Sequence, residues 1–103
     1  MRVHDLAFVR SGDKGDVCNV AVMARHEEGY RLLKLALLPE RIEEQFAGLV
    51  EGPIAVYLLP NLHAFEVVMH RALGGGATRT LRFDQTGKSM CAVLARMVVP
   101  PAP

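Results

Sequence analysis

The alternation of hydrophobic and polar residues divides the chain into short segments that predict a mixture of strands and helices. Residues 3–10 alternate and are rich in β-formers, so they predict a first strand that ends in the turn-forming run 11–16. Apolar residues recur at every second position from Val20 to Ala24, which predicts a second strand returning as a hairpin. The competing interpretation is a helix that opens at Asp16, because aspartate is a good helix cap.

The middle of the chain predicts two helices and a buried strand. Residues 30–38 look helical, and Pro39 suits the first turn of a second helix that Gly48 closes. The buried stripe of this segment recurs at helical spacing and consists of Leu38, Ile42, Phe46 and Leu49. Residues 54–59 are a continuous apolar run between two prolines, which predicts a central strand covered on both faces.

The last third of the chain predicts a helix followed by a hairpin. Residues 61–73 have apolar residues on one helical side, with Asn61 as the cap and three glycines at 74–76 as the stop. Residues 78–83 predict a strand, and residues 84–88 predict a hairpin loop. Residues 90–99 have helical spacing, yet the hairpin signal and the Val98-Val99 end favour a strand. The tail 100–103 is expected to fray.

Together these elements predict one α+β domain over residues 1–103, with a mixed sheet of four or five strands and helices packed on one face. Half of the 103 residues are hydrophobic and 22% are charged, which is typical of a globular domain with one core. The two cysteines, Cys18 and Cys91, lie far apart, so we interpret both as buried thiols rather than as a disulfide framework.

The charge balance argues against two classes of partner. Lysine and arginine number 12 against 11 acids, and a net charge of +1 provides no broad basic field for nucleic acid or an anionic membrane. No apolar run approaches the ~20 residues that cross a bilayer, and Asp5 interrupts any signal-peptide pattern. We therefore expect a cytoplasmic protein with neither a nucleic-acid nor a membrane partner.

The first candidate site is the glycine-rich run Arg10-Ser11-Gly12-Asp13-Lys14-Gly15-Asp16. A guanidinium, a hydroxyl and an ammonium stand beside two glycines, so the backbone N–H groups are expected to form a concavity that binds a phosphate or a carboxylate. The alternative is that the glycines only allow the hairpin to turn while the charged side chains remain solvated.

The second candidate site is the step Pro60-Asn61-Leu62-His63, which leaves a buried strand. His63 could carry a proton near neutral pH. The alternative is that Asn61 is an ordinary helix cap and His63 an exposed first-turn residue. On the predicted helix, His63, Glu66 and His70 share a stripe, but zinc prefers tighter histidine spacing, so no metal site and no cofactor is predicted. Spacing alone assembles no hydrolase triad.

Several motifs in order resemble the AtuA-like ferredoxin-fold domain, which is found at the C-terminus of acyclic terpene utilisation AtuA proteins and also as a separate chain. The resemblance spans nearly the whole chain. Its motifs are Leu6-Ala7-Phe8-Val9-Arg10-Ser11-Gly12-Asp13-Lys14-Gly15, Leu59-Pro60-Asn61-Leu62-His63-Ala64, Ala72-Leu73-Gly74-Gly75-Gly76, Leu81-Arg82-Phe83-Asp84 and Gly87-Lys88.

The resemblance implies a two-layer ferredoxin-like sandwich that works with a separate large AtuA-type chain in acyclic terpenoid and acyl-CoA catabolism. Two residues depart from the family pattern: Asp16 and Glu66 both stand where the family usually has asparagine. Their added negative charge argues against an identical anionic ligand. The candidate residues for binding an acyl-CoA or a carboxylate are Arg10, Ser11, Gly12, Asp13, Lys14, Gly15, Asn19, Asn61, Gly75 and Arg79, and the catalytic candidate is His63.

Three hypotheses for function follow, and the two that involve a ligand share one spatial assumption. The first is an accessory domain that docks on the large AtuA-type chain and completes its anionic-ligand site. The second is a stand-alone homo-oligomeric enzyme with His63 as its acid or base. The third is an assembly surface, such as a symmetric dimer through a sheet edge. The first two assume that the bend at Lys14 and the step at His63 converge on one polar face.

Overall fold

In a computed structural model of the chain, the described residues form one sheet of four antiparallel strands. The structure describes residues 1–14, 17–46, 50, 52–71 and 90–100, and only the backbone at 13, 14 and 90. The strands are β1 (Ala7–Lys14), β2 (Val17–Ala24), β3 (Ile54–Leu59) and β4 (Ala64–Met69). Their order across the sheet is β1-β2-β4-β3, and each neighbouring pair is antiparallel.

The helices pack on one side of this sheet. They are α1 (Val3–Leu6), α2 (Glu27–Ala36), α3 (Pro39–Gln45) and α4 (Met90–Ala95), and a 3-10 turn spans Pro60–Leu62. Alternate residues of the strands meet buried residues of the helices in one core, whose largest members are Phe46, Phe65, Leu33, Ile42, Met69 and Leu94. Because strand residues alternate between the two faces, only one face of the sheet belongs to this core.

The connections between the strands give a split β-α-β arrangement. β2 and β3 both run antiparallel to the central β4, so they are parallel to each other and α2 and α3 cross between them. β1 adds the outer strand beside β2. The predicted α+β class, with helices on one face, is confirmed, although the four described strands pair only antiparallel and not in the mixed manner expected.

The N-terminal elements differ from the prediction at both ends of the first strand. Residues 3–6 form a helical turn because the Asp5 carboxylate accepts the Arg2 backbone N–H at 2.8 Å, which holds the chain in a turn. β1 then continues through residue 14, so residues 11–14 are strand where a turn was predicted. The returning strand is confirmed as β2, and the alternative helix at Asp16 is wrong, since β2 begins at Val17.

The predicted helix over residues 61–73 is wrong, because this segment contains β4. Its apolar residues also fit a period of two, and Phe65, Val67 and Met69 all point into the core. β4 is hydrogen-bonded on both sides, to β2 and to β3. Two full ladders therefore stabilise the strand, and a helix here would leave both neighbours unpaired.

The position of β3 differs from the prediction for the same reason. The strand itself is confirmed, but β4 takes the central place and moves β3 to the edge of the described sheet. Tyr57, Leu58 and Leu59 are 57%, 51% and 41% exposed, so this strand is not covered on both faces.

The helices of the middle segment are confirmed, with α2 beginning earlier than predicted and Pro39 at the start of α3. In the stripe predicted for α3, Ile42 and Phe46 are buried whereas Leu38 is exposed. Residues 90–95 are helical, so the strand favoured for residues 90–99 is wrong apart from one bridge between Val98 and Arg2.

Several predicted features lie outside the described residues: the helix stop at Gly48, the stripe residue Leu49, the strand 78–83 and the hairpin loop 84–88. Among the helices that the structure does describe, none has the length and apolar character that a membrane span needs.

Candidate functional site

The face of the sheet opposite the helices carries exposed apolar side chains, and we call it the open face. Phe8 is 59% exposed, Tyr57 57%, Met23 45% and Leu59 41%. One of these side chains lies on β1, one on β2 and two on β3, so they come from opposite edges and the interior of the sheet. Isolated exposed apolar residues are common, but a group on one sheet face is a candidate interaction surface.

The register places Phe8, Met23 and Leu59 in one row across the four described strands, whereas Tyr57 lies in the next row, opposite Glu66. Phe8 pairs with Met23, Met23 pairs with Ala64, and Ala64 pairs with Leu59. Ala64 is almost fully buried, at 4% exposure, because its small side chain lies between larger neighbours. With roughly 4.8 Å between strands, the row extends about 14 Å across the open face. One end of the sheet is thus apolar from edge to edge.

The centre of the open face is polar. The Asn19 side-chain amide donates a hydrogen bond of 2.7 Å to the Glu66 carboxylate, joining β2 to β4. Arg10 lies in the same row as Glu66, with Ala21 between them in the register. Among the described residues Arg10 forms no ion pair, so its exposed guanidinium can receive an external carboxylate.

Gly12 lies beside Asn19 in the register of β1 and β2. A Cβ at this glycine would stand 3.5 Å from the Asn19 side-chain oxygen, which is ordinary contact. Space therefore does not require glycine at this position.

The apolar row ends at Arg25, whose guanidinium lies 4.6 Å from the centre of the Phe8 ring. This guanidinium also donates hydrogen bonds to the backbone oxygens of His4 and Asp5, at 3.4 and 3.2 Å. The stacking and the hydrogen bonds together hold an exposed cation at the rim of the row.

His63 lies at the tight turn between β3 and β4, on the helix side of the sheet. Its backbone is left-handed, with φ 50° and ψ 43°, and its carbonyl accepts the Ala24 N–H at 2.9 Å. The half-buried ring lies 5.5 Å from the Tyr30 ring, centre to centre. Left-handed backbone is unfavourable for a residue with a Cβ, so the turn imposes local strain at this histidine.

Two residues beside His63 were missed by sequence reasoning. Tyr30 also stacks on Phe65 at 4.9 Å, and the Lys34 ammonium lies 5.1 Å from the Tyr30 ring centre. The Tyr30 hydroxyl is buried without a hydrogen-bond partner among the described residues. The sequence did carry a signal for this pair. Tyr30 is the tyrosine among the mostly apolar residues that α2 buries, and Lys34 follows it one helical turn later.

The assumed convergence of Lys14 and His63 is wrong. Lys14 pairs with Val17 at one end of β2, whereas His63 bonds to Ala24 at the other end. These β2 residues are seven positions apart, which corresponds to about 23 Å at roughly 3.3 Å per residue. The two positions therefore cannot act together on one small ligand.

The other predicted site residues are distributed over both faces. Arg10, Gly12 and Asn19 share the open face, whereas Ser11 pairs with the fully buried Val20 and lies on the helix side. The alternation of β1 separates these neighbours in sequence, so they do not form the predicted loop.

The remaining predicted residues lie apart from that cluster. Asn61 is exposed in the 3-10 turn and caps no α-helix there. The backbone of Asp13 continues β1, while Gly15, Gly75 and Arg79 lie outside the described residues. The stripe of His63, Glu66 and His70 does not exist either, because Glu66 lies on the open face and His63 on the helix side.

Comparison with known families matches residues 1–100 to the AtuA ferredoxin-like domain. The chain belongs to this family. The match covers all four strands, so the predicted resemblance is confirmed and the chain is a domain associated with AtuA-type proteins. No curated protein and no solved structure gives a significant match.

In this AtuA ferredoxin-like domain, a groove of about 390 Å³ runs beside the 3-10 turn. Its walls are Leu58, Leu59, Pro60, Asn61 and Leu62, and they adjoin His63 in the chain. Leu62 is 67% exposed at its rim. Within the described part of the domain, no three metal-ligating side chains cluster closely enough to hold an ion. The groove is lined mainly by apolar residues, and Asn61 is the polar residue among its five lining residues.

Proposed function

We propose that this chain is an interaction domain that docks its open face on a large AtuA-type chain. The observation that carries the proposal is the apolar row from Phe8 through Met23 to Leu59, on a sheet face that no described helix covers. Family membership supports the identity of the partner, because the domain is one associated with AtuA-type proteins.

The exposed apolar area of the open face determines how much free energy docking could gain from burying it. With roughly 200 Å² for each fully exposed large side chain, the apolar row together with the neighbouring Tyr57 exposes roughly 400 Å² of apolar surface, from Phe8, Met23, Tyr57 and Leu59. Burying it would contribute about 10 kcal/mol, comparable with the roughly 4–15 kcal/mol that association costs. The polar centre must therefore also contribute, and Arg10 is its unpaired charge among the described residues.

We propose that the polar centre completes an anionic-ligand site at the docked interface. Arg10 is exposed, and Asn19 lies next to it on the same face, so a carboxylate or the phosphates of an acyl-CoA could bind between domain and partner. The resemblance to acyclic terpene utilisation proteins supports a role in acyclic terpenoid and acyl-CoA catabolism, and we propose the cytoplasm as its location. A homo-oligomeric state also belongs to the proposal, since docking on the open face leaves the sheet edges available.

The docking proposal is tested by co-purification and calorimetry with a large AtuA-type chain. Met23→Asp places a charge at the centre of the apolar row, and we expect it to weaken binding at least roughly 100-fold through loss of about 3 kcal/mol. Leu35→Asp is the matched control, because Leu35 is 38% exposed on α2, on the helix side. Equal binding by both variants, or no complex with the wild-type domain, would overturn the proposal.

A second candidate is a stand-alone enzyme that uses His63 as acid or base. The observation in its favour is the strained, half-buried His63 beside the apolar groove. Turnover of a small carboxylate or acyl-CoA by the purified domain, abolished in His63→Gln with an unchanged unfolding midpoint, would support it. Equal turnover in His63→Gln would reject it.

A further inference from the structure

The outer edge of β3 has the features of an unprotected sheet edge. The strand Ile54–Leu59 contains no charged residue and no internal proline, and no described strand pairs with its outer side. Leu58 is 51% exposed on the helix side, while Tyr57 and Leu59 are exposed on the open face. Apolar side chains thus flank, on both faces, backbone groups that are paired with no other strand in the described part of the chain, an arrangement that favours pairing with another strand.

The opposite edge of the sheet is protected. β1 carries the charged residues Arg10, Asp13 and Lys14 within its eight residues. Charges on an edge strand oppose pairing with another chain. The contrast between the two described edges favours β3 over β1 as the edge for pairing with a further strand.

We propose that the β3 edge pairs with the β3 edge of a second copy of this chain, as a two-fold antiparallel dimer centred on Leu58. A strand without charge is complementary to itself, because its antiparallel copy offers matching N–H and C=O groups and no like charges meet. In this register Leu58 lies opposite its own copy, and Tyr57 lies opposite Leu59 on the open face. These are the three most exposed apolar residues of the strand.

The dimer leaves the open face available to a partner. Pairing through β3 extends the described sheet from four strands to eight, with the open faces of both copies continuous across the junction. The apolar rows meet there, since Leu59 ends the row at the β3 edge. The dimer deepens the homo-oligomeric part of the proposed function, and Leu58 tests it separately from docking, because Leu58 lies on the helix side and does not contribute to the open face.

The first experiment measures the mass of the purified chain by sedimentation equilibrium over a wide concentration range. We expect a dimer for the wild type and a monomer for Leu58→Lys, because two lysines would stand opposite each other across the two-fold axis. Each substitution acts twice in the dimer, so a tenfold effect per site raises the dissociation constant roughly 100-fold. Leu35→Lys is the matched control and should remain dimeric, because Leu35 is an exposed leucine of α2 and is not part of β3.

The second experiment tests the register by cross-linking. Opposed residues of an antiparallel pair have Cα atoms about 4.5–5.5 Å apart, within the roughly 4.4–6.8 Å that a disulfide spans. Leu58→Cys should therefore form a covalent dimer under mild oxidation, and Leu35→Cys and the wild type should not. A monomeric wild type, a Leu58→Lys protein that stays dimeric, or equal cross-linking in both cysteine variants would each overturn the proposal.

Discussion

A glycine at the base of the β3–β4 ladder provides the sharpest test of the fold, because its neighbours are backbone atoms. A Cβ added at Gly52 would stand 2.7 Å from the His70 carbonyl carbon and 2.9 Å from the His70 Cβ, with the carbonyl oxygen closer still. Real Cβ atoms do not approach other heavy atoms this closely. Gly52→Ala must therefore push the two backbones apart.

The cost of Gly52→Ala can be worked out from the bonds at this point. Gly52 donates its N–H to the His70 oxygen at 2.9 Å, and His70 donates to the Pro53 oxygen at 3.1 Å. Weakening both bonds costs about 1 kcal/mol each, and overpacking adds about 1–3 kcal/mol. The expected loss of about 3–5 kcal/mol is a large share of the roughly 5–15 kcal/mol that stabilises a typical domain. At about 4–8 °C per kcal/mol, the unfolding midpoint should fall by at least roughly 10 °C.

Gly29→Ala is the matched control, measured in the same thermal and urea unfolding experiments. Gly29 lies in α2, and an added Cβ would meet the Leu6 backbone oxygen at 3.4 Å, which is ordinary contact. Alanine is favoured over glycine within helices by up to about 1 kcal/mol, so this variant should unfold at the wild-type midpoint or above it. If Gly52→Ala proved as stable as Gly29→Ala, the placement of residue 52 against β4 would be refuted.

Two further predictions concern the core and the N-terminal turn. Phe46→Ala should cost about 3–5 kcal/mol in urea unfolding, because the ring is fully buried, whereas Phe8→Ala on the open face should cost much less. The hydrogen bond from the Arg2 backbone N–H lowers the pKa of the Asp5 carboxyl in the folded protein. The ionised carboxylate therefore stabilises the fold at pH values above the pKa that Asp5 has in the unfolded chain. This contribution is lost as the pH falls through the pKa of Asp5 in the folded protein. Asp5→Asn should therefore reduce the loss of stability in acid, and an unchanged pH profile would contradict this.

The sequence was sufficient for the fold class and for elements with a single periodicity. Pro39 marks the start of α3 by local chemistry, and the alternation of residues 20–24 favours the strand that is observed over the competing helix from Asp16. The helix predicted for residues 61–73 was wrong because the apolar positions of this segment fit both the helical period and the strand period of two. Long-range pairing of β4 with two strands then decided the outcome, and no local pattern reports such pairing. The error carried over to β3, whose edge position depends on β4 lying between it and β2.

The predicted binding loop was wrong for a related reason. Residues 10–14 were interpreted as a loop, in which neighbours in sequence act together. As a strand, they alternate, so Arg10 and Gly12 share a face with Asn19 while Ser11 faces the helices. The link between Asn19 and Glu66 crosses 47 positions of sequence and depends on the register, which the residues alone do not specify.

We propose separate roles for the two faces and the two edges of the described sheet, according to how each is covered. The helix face of the sheet packs in the hydrophobic core, and the charged residues of β1 oppose pairing of that edge with another strand. The open face and the β3 edge remain, and Tyr57 and Leu59 belong to both. A substitution at either residue would disturb partner docking and self-pairing together, whereas Met23 and Leu58 each belong to one surface alone. Variants at Met23 and Leu58 can therefore separate the two interactions, and loss of partner binding in Leu58→Lys would mean that the partner requires the dimer.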